Sequence, residues 1–159
     1  MRTKLKSSKA EEPAHAGMDL SALEKNVGFH MRKAFLVAQG SFLKETGVKL
    51  MTGQYSVMEI ISTNPGRTQS AIAWAAGLDR SSLVPILNQL EKNGLIVREP
   101  VENDKRAYAV TLTDAGEEEL NSLREKIDDM EKIFVSGLGV RNHQQLINLL
   151  KRFHDVLQG

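Results

Sequence analysis

Between residues 68 and 94 two helical patterns stand almost end to end. The first, 68–76, stops at Gly77, a residue suited to the left-handed backbone that closes helices. The second begins near Asp79 and runs to Asn93, with Leu83, Ile86, Leu87 and Leu90 on one face and Gly94 as its terminator. This is helix, tight glycine turn, helix. Directly after it, 95–100 and 107–112 are short, partly β-branched runs about the polar loop 102–106, which predicts a hairpin with a charged tip. A tight helical pair followed by a hairpin is a winged helix-turn-helix, whose second helix enters the major groove of DNA while the hairpin reaches beside it.

The flanks are helical. From Leu20 the apolar residues Leu23, Val27, Met31, Ala34, Phe35, Ala38 and Phe42 recur at steps of three and four, which predicts one long helix ending near Gly47, with Ser21 as its cap. Thr52 is the expected cap of the next helix, whose inward face is Val57, Met58, Ile60 and Ile61 and which Asn64-Pro65-Gly66 stops. Thr113, Asp114 and Glu117 open a long helix from 114 to about 134, with Leu120, Leu123, Ile127, Met130 and Phe134 inside. Leu146, Leu149, Leu150, Phe153 and Leu157 mark a last helix over about 142–157. The expected fold class is mainly α with a small β-hairpin wing. Residues 1–18, with Arg2, Lys4, Lys6 and Lys9, read as a flexible basic tail, and 19–159 as a single domain whose 50–112 is the winged helix-turn-helix.

Composition removes several alternatives. At 159 residues, 41% hydrophobic and 26% charged, the chain has the balance of a globular protein with a core of its own. No apolar run is long enough to cross a bilayer, and the basic start lacks the apolar stretch of a secretory signal, so a cytoplasmic protein without membrane contact is expected. The absence of cysteine excludes disulfides, thiolate metal sites and cysteine redox sensing. His15, His30, His143 and His154 lack the spacing of a ligand cluster, so no metal or cofactor is expected and a metal-responsive regulator is the weaker reading. No phosphate-binding glycine loop, nucleophile elbow or paired histidine motif suggests an enzyme. The net charge of +1 does not argue for nucleic acid, so the arrangement of residues must.

That arrangement is found on the second helix of the pair. Arg80, Ser81 and Ser82 stand at its start, where free N–H groups and short hydroxyls suit phosphate oxygens and base edges. Asn88 and Gln89 lie one to two turns on and carry the donor and acceptor that adenine requires. The plainer alternatives are that the serines only cap the helix and that the two amides are solvated. Pro85 lacks the N–H that would bond Ser81, so the helix either starts late or bends, and its ring with Val84 offers an apolar contact for thymine methyl groups.

Leu50-Met51-Thr52-Gly53-Gln54, Asn64-Pro65-Gly66-Arg67-Thr68-Gln69-Ser70, Gly77-Leu78-Asp79-Arg80-Ser81-Ser82, Leu90-Glu91-Lys92-Asn93-Gly94-Leu95-Ile96, Asp104-Lys105-Arg106-Ala107 and Leu112-Thr113-Asp114-Ala115-Gly116 together resemble, in order and spacing, the multiple-antibiotic-resistance regulator (MarR) family. The resemblance runs from about Leu20 to Leu157 and departs at Pro85, where family members often carry a basic residue. It implies a ligand-responsive transcriptional regulator, a repressor released from DNA by its effector. The helices of 19–47 and 114–159 then interlock with a second copy, and the homodimer binds an inverted-repeat operator. It adds Thr68, Gln69, Ser70 and Arg98 to the DNA-contacting set and implies that Arg106 of the wing reaches the minor groove, beside Lys105, while Asp104 orients a basic neighbour. A winged-helix module that binds protein is the other reading, and it has no need of Arg80, Lys105 and Arg106 on one surface.

The resemblance also implies an effector site between the dimerisation helices and the DNA-binding lobe. His30, Arg32, Lys33 and Phe35, with Met31, combine donors, charge and apolar surface in a way that fits an anionic aromatic ligand, and Tyr55 and Trp74 are further lining candidates. The stripe 30–35 is similar to that of regulators of aromatic degradation, including those sensing acyl-coenzyme A thioesters, so an aromatic acid or aromatic acyl-CoA is the expected effector. The plainer alternatives are a core Trp74 and a structural His30.

Overall fold

A computed structural model describes residues 18–49, 53–101 and 104–158 of the chain, the side chains of 104–106 and 158 excepted. The expected basic tail, all but Met18, and the Thr52 cap lie outside the described residues. The chain forms two compact units, one ending at Ser41 and one beginning at Phe42.

In the first unit a short 3-10 turn, Ser21–Leu23, precedes helix α1 (Val27–Thr46), which continues into the second unit. The helix expected from Leu20 is therefore broken before Val27, and Ser21 is not its cap. Asn26 is: its Oδ1 accepts the Phe29 N–H at 2.8 Å, the geometry in which a short carboxamide satisfies an orphan donor of the first turn. Asp19 Oδ1 takes the Ser21 N–H at 2.9 Å in the preceding turn.

The second unit contains α2 (Gln54–Thr63), β1 (Arg67–Thr68), α3 (Gln69–Ala75), α4 (Arg80–Lys92), β2 (Ile96–Val101), β3 (Asp104–Leu112), α5 (Asp114–Leu138) and α6 (Val140–Gln158). Its core takes in residues of the inward faces that periodicity predicts, Val57, Met58 and Ile61 of α2, Leu83, Ile86, Leu87 and Leu90 of α4 and Leu120 and Leu123 of α5, together with Ile72 of α3, Ile96 and Val110, for which the pattern names no face. Ile60 packs at the edge of this cluster. The hairpin gains a strand that the pattern does not announce, since β1 adds antiparallel to β3 in the order β1-β3-β2, pairing Arg67 with Val110 and Thr68 with Ala109. A two-residue strand has no periodicity of its own and exists only because β3 is there to pair with it. Thr68 ends that strand and caps α3, its Oγ1 accepting from the Ala71 N–H at 3.3 Å.

Two joints fix α5. At its start the Thr113 hydroxyl accepts the Gly116 N–H at 3.0 Å and donates to the Gly94 carbonyl at 2.7 Å, tying the new helix to the end of α4. Further along, Arg124 grips Glu59 of α2 through two parallel bonds of 2.7 and 2.8 Å, and the Tyr55 hydroxyl donates to the same carboxylate at 2.9 Å. Hydrogen bonding from Arg124 holds the Glu59 carboxyl below its ordinary value, while burial pushes the Tyr55 phenol up to about 12. A carboxyl depressed on folding contributes stability that is complete above its unfolded value of 4.5 and is lost as pH falls through the lower folded value. Glu59→Gln should therefore flatten the acid limb of the melting-temperature profile below that pH, leaving less difference from wild type there than at neutral pH. Parallel profiles would mean that the pair adds nothing that titrates.

Helix α6 differs from the rest. Leu146, Leu149, Leu150, Phe153 and Leu157, the row that marks the helix, remain between 40% and 70% exposed. His143 bonds Glu131 of α5 at 2.7 Å, but none of the buried core cluster comes from α6.

Candidate nucleic-acid interface

Helix α4 is capped by Asp79 rather than by a serine. Its Oδ1 accepts the Ser82 N–H at 2.7 Å and the Ser81 hydroxyl at 2.8 Å, and hydrogen bonding, first from Ser81 and then from Ser82, lowers its pKa. The expectation of open N–H groups at this end is corrected to that extent, because a carboxylate of the chain already takes the Ser82 donor. Arg80 is the first helical residue, so the helix does not start late on account of Pro85. Pro85 and Ser81 are both exposed, so the rung that Pro85 cannot make lies on the solvent side of the helix and not in the core.

In front of α4 lies an open groove of about 650 Å³. Thr68 at the end of β1, Gln69, Ser70 and Trp74 of α3, Arg80 and Val84 of α4 and Tyr108 of β3 are among the residues that line it. Four of the residues expected to touch DNA are thus brought to one concavity. Trp74 is 86% exposed, which overturns the alternative that makes it a core residue. Its place on the lining of the groove carries no signal in the sequence, because an indole among alanines on a short helix reads as apolar filling.

Asn88 and Gln89 are exposed on α4, Gln89 donating to Asn93 Oδ1 at 3.1 Å. Arg98 is turned inward: its Nε donates to Glu91 Oε1 at 3.0 Å, and its Nη2 donates both to Glu91 Oε2 and to Asn88 Oδ1, the latter at 3.0 Å. The carboxylate raises the pKa of Arg98 and is itself lowered by the guanidinium. Asp104, Lys105 and Arg106 open β3, Asp104 pairing with Val101 past a register shift at Pro100 and Val101, and their side chains lie outside the described part.

The residues expected at an effector site are spread over both units. His30, Arg32, Lys33 and Phe35 are on α1 in the first. There His30 Nε2 lies 2.8 Å from the Glu24 carbonyl and its ring meets Phe29 edge-on, while the Lys33 ammonium sits 5.8 Å from the Phe29 centroid. Tyr55 and Trp74 are in the second unit, where Tyr55 is bound to Glu59 and is absent from the groove that Trp74 lines. Among the described residues no group of three or more His, Asp or Glu side chains is placed to hold a metal ion, and no helix is long and apolar enough to cross a membrane.

The family model described as MarR family matches residues 50–108. A protein assigned to transcriptional regulation of the hcr operon in Thauera aromatica is 35% identical over 130 residues, covering 80% of this chain and 78% of the relative. Among solved structures, the transcriptional repressor CouR bound to a 23-mer DNA duplex superimposes with a TM-score of 0.77 at 29% identity, over 86% of this chain and 98% of that one. CouR bound to p-coumaroyl-CoA gives 0.77 at 28% identity, over 86% and 97%. The PcaV regulator of Streptomyces coelicolor with its natural ligand shares the fold, with a TM-score of 0.72 at 23% identity over 88% and 97%.

Proposed function

The chain belongs to the MarR family of transcriptional regulators, and from that premise we propose that it is a cytoplasmic repressor that binds an inverted-repeat operator as a homodimer and lets go when a small anionic aromatic effector binds. In this reading 50–112 contacts DNA, and 19–47 with 114–159 join the two copies. The observation that carries it is the convergence of Thr68, Gln69, Ser70 and Arg80 on the groove in front of α4. Lys105 and Arg106, at the start of β3, are the wing residues assigned to the minor groove in this reading. The DNA complex of CouR supports the first half of the proposal and its p-coumaroyl-CoA complex the second.

Arg32 and Lys33 are the anchors proposed for the effector anion. Linkage requires the effector to bind the DNA-incompetent state more tightly, by about 2.7 kcal/mol for roughly 100-fold release. Gel shift with the promoter DNA flanking the gene should show a retarded complex that p-coumaroyl-CoA or a free aromatic acid dissolves. Arg106→Ala should weaken that complex by about 1–3 kcal/mol without changing the dimer. Full affinity in the Arg106 variant would reduce the wing to a passive hairpin. A complex indifferent to every aromatic acid and thioester would remove the effector half of the proposal and leave the DNA half standing.

A further inference from the structure

The network joining α4 to the wing is independent of the groove and bears on which base is read. Arg98 rises from β2 with its side chain only 18% exposed, and three of its five N–H donors are taken, by both oxygens of Glu91 and by Asn88 Oδ1. Its charge is matched by Glu91, so it has little to give a phosphate. Asn88, by contrast, is exposed on the helix that faces DNA, and its carboxamide is held by the oxygen. The oxygen and nitrogen of a carboxamide leave the same carbon in opposite directions, so fixing Oδ1 toward β2 turns Nδ2 outward. Resting on the DNA-binding reading above, we propose that Arg98 is a positioning residue that presents Asn88 to the major groove as a hydrogen-bond donor.

The consequence is a defined base preference. An unrestrained asparagine offers donor and acceptor together and suits adenine N6 and N7, whereas one offered by its nitrogen suits the two acceptors of guanine, O6 and N7. Arg98 therefore acts on DNA through Asn88, and Glu91 acts by holding Arg98. This differs from the part first expected of Arg98 as a direct DNA contact, and the two roles leave different marks. Losing a phosphate contact lowers the slope of log affinity against log salt by about 0.9. Losing an oriented amide leaves that slope alone and blurs one base pair.

The test is selection from a pool of random-sequence DNA duplexes by the wild-type chain, Arg98→Ala and Asn88→Ala, followed by salt titration of all three on the duplex that the wild type enriches. Arg98→Ala should keep the wild-type salt slope and lose on the order of tenfold discrimination at one position in each half-site, with adenine newly tolerated there. Asn88→Ala, a change on the exposed surface, should lose preference at that same position. A slope reduced by about one phosphate contact with unchanged base preference would overturn the proposal. So would uniform weakening on every sequence, the mark of a simple brace, or loss of preference at different positions in the two variants. A wild-type chain that enriches no sequence would overturn the DNA-binding reading itself, and is seen before any variant is made.

Discussion

Gly116→Ala should destabilise the protein by about 2–4 kcal/mol, although alanine is the better helix former by about 1 kcal/mol. Gly116 is the third residue of α5 and is buried. A Cβ built there would lie 2.0 Å from the Leu95 carbonyl oxygen, 3.0 Å from its carbon and 3.3 Å from the Leu112 Cβ. Backbone, not a flexible side chain, is in the way. The Leu95 oxygen cannot retreat freely, because it accepts the Thr113 N–H at 3.0 Å and Thr113 also caps α5 and holds the Gly94 carbonyl. Relief of the clash must therefore pull the start of α5 from the end of α4, losing hydrogen bonds worth about 0.5–1.5 kcal/mol each. For a chain of this size a loss of 2–4 kcal/mol lowers the melting temperature by roughly 5–15 °C. A melt of the variant at or above the wild-type temperature would falsify the steric account and leave helix propensity as the dominant effect.

Ending the chain before Arg141 should abolish both the dimer and operator binding. The deleted residues contribute nothing to the buried core cluster, so the lobe of α2 to α5 should remain folded, with its helical circular dichroism reduced only by the missing helix. What is lost is the row of Leu146, Leu149, Leu150, Phe153 and Leu157, which is 40% to 70% exposed in the single chain. Covering such side chains is worth about 1 kcal/mol apiece, or on the order of 10 kcal/mol for the rows of two copies. That is comparable with the cost of association itself, about 4–15 kcal/mol, so its removal tips the balance to monomer. A monomer presents one half-site's worth of contacts, too few for tight specific binding at physiological salt. Sedimentation velocity should give a single monomeric species, and gel shift no complex at concentrations that saturate the full-length chain. A truncated chain that still sediments as a dimer would move the interface elsewhere.

Periodicity at 3.6 residues, the glycines at 77 and 94 and the shift to β-branched residues after Gly94 are local signals, and each reports the free energy of its own segment. They determined the helices α2 to α6, the hairpin, the inward faces of α2 and α4 and, through their order, the winged helix-turn-helix. Caps follow the same logic only while one acceptor is in range: among Asp19, Ser21 and Asn26 it is the Asn26 carboxamide that caps α1 instead of Ser21, and among Asp79, Ser81 and Ser82 the Asp79 carboxylate takes a donor expected to be open at the start of α4. Strand β1, the burial of Gly116 against Leu95 and the grip of Arg98 on Glu91 and Asn88 were decided by tertiary structure alone. In each of these the partner comes from another element, and its distance is set by how the elements pack. Trp74 makes the same point from the other side: its chemistry suits a core as well as an interface, and only the packing of α3, which leaves the residue largely exposed on the lining of the groove, assigns it there.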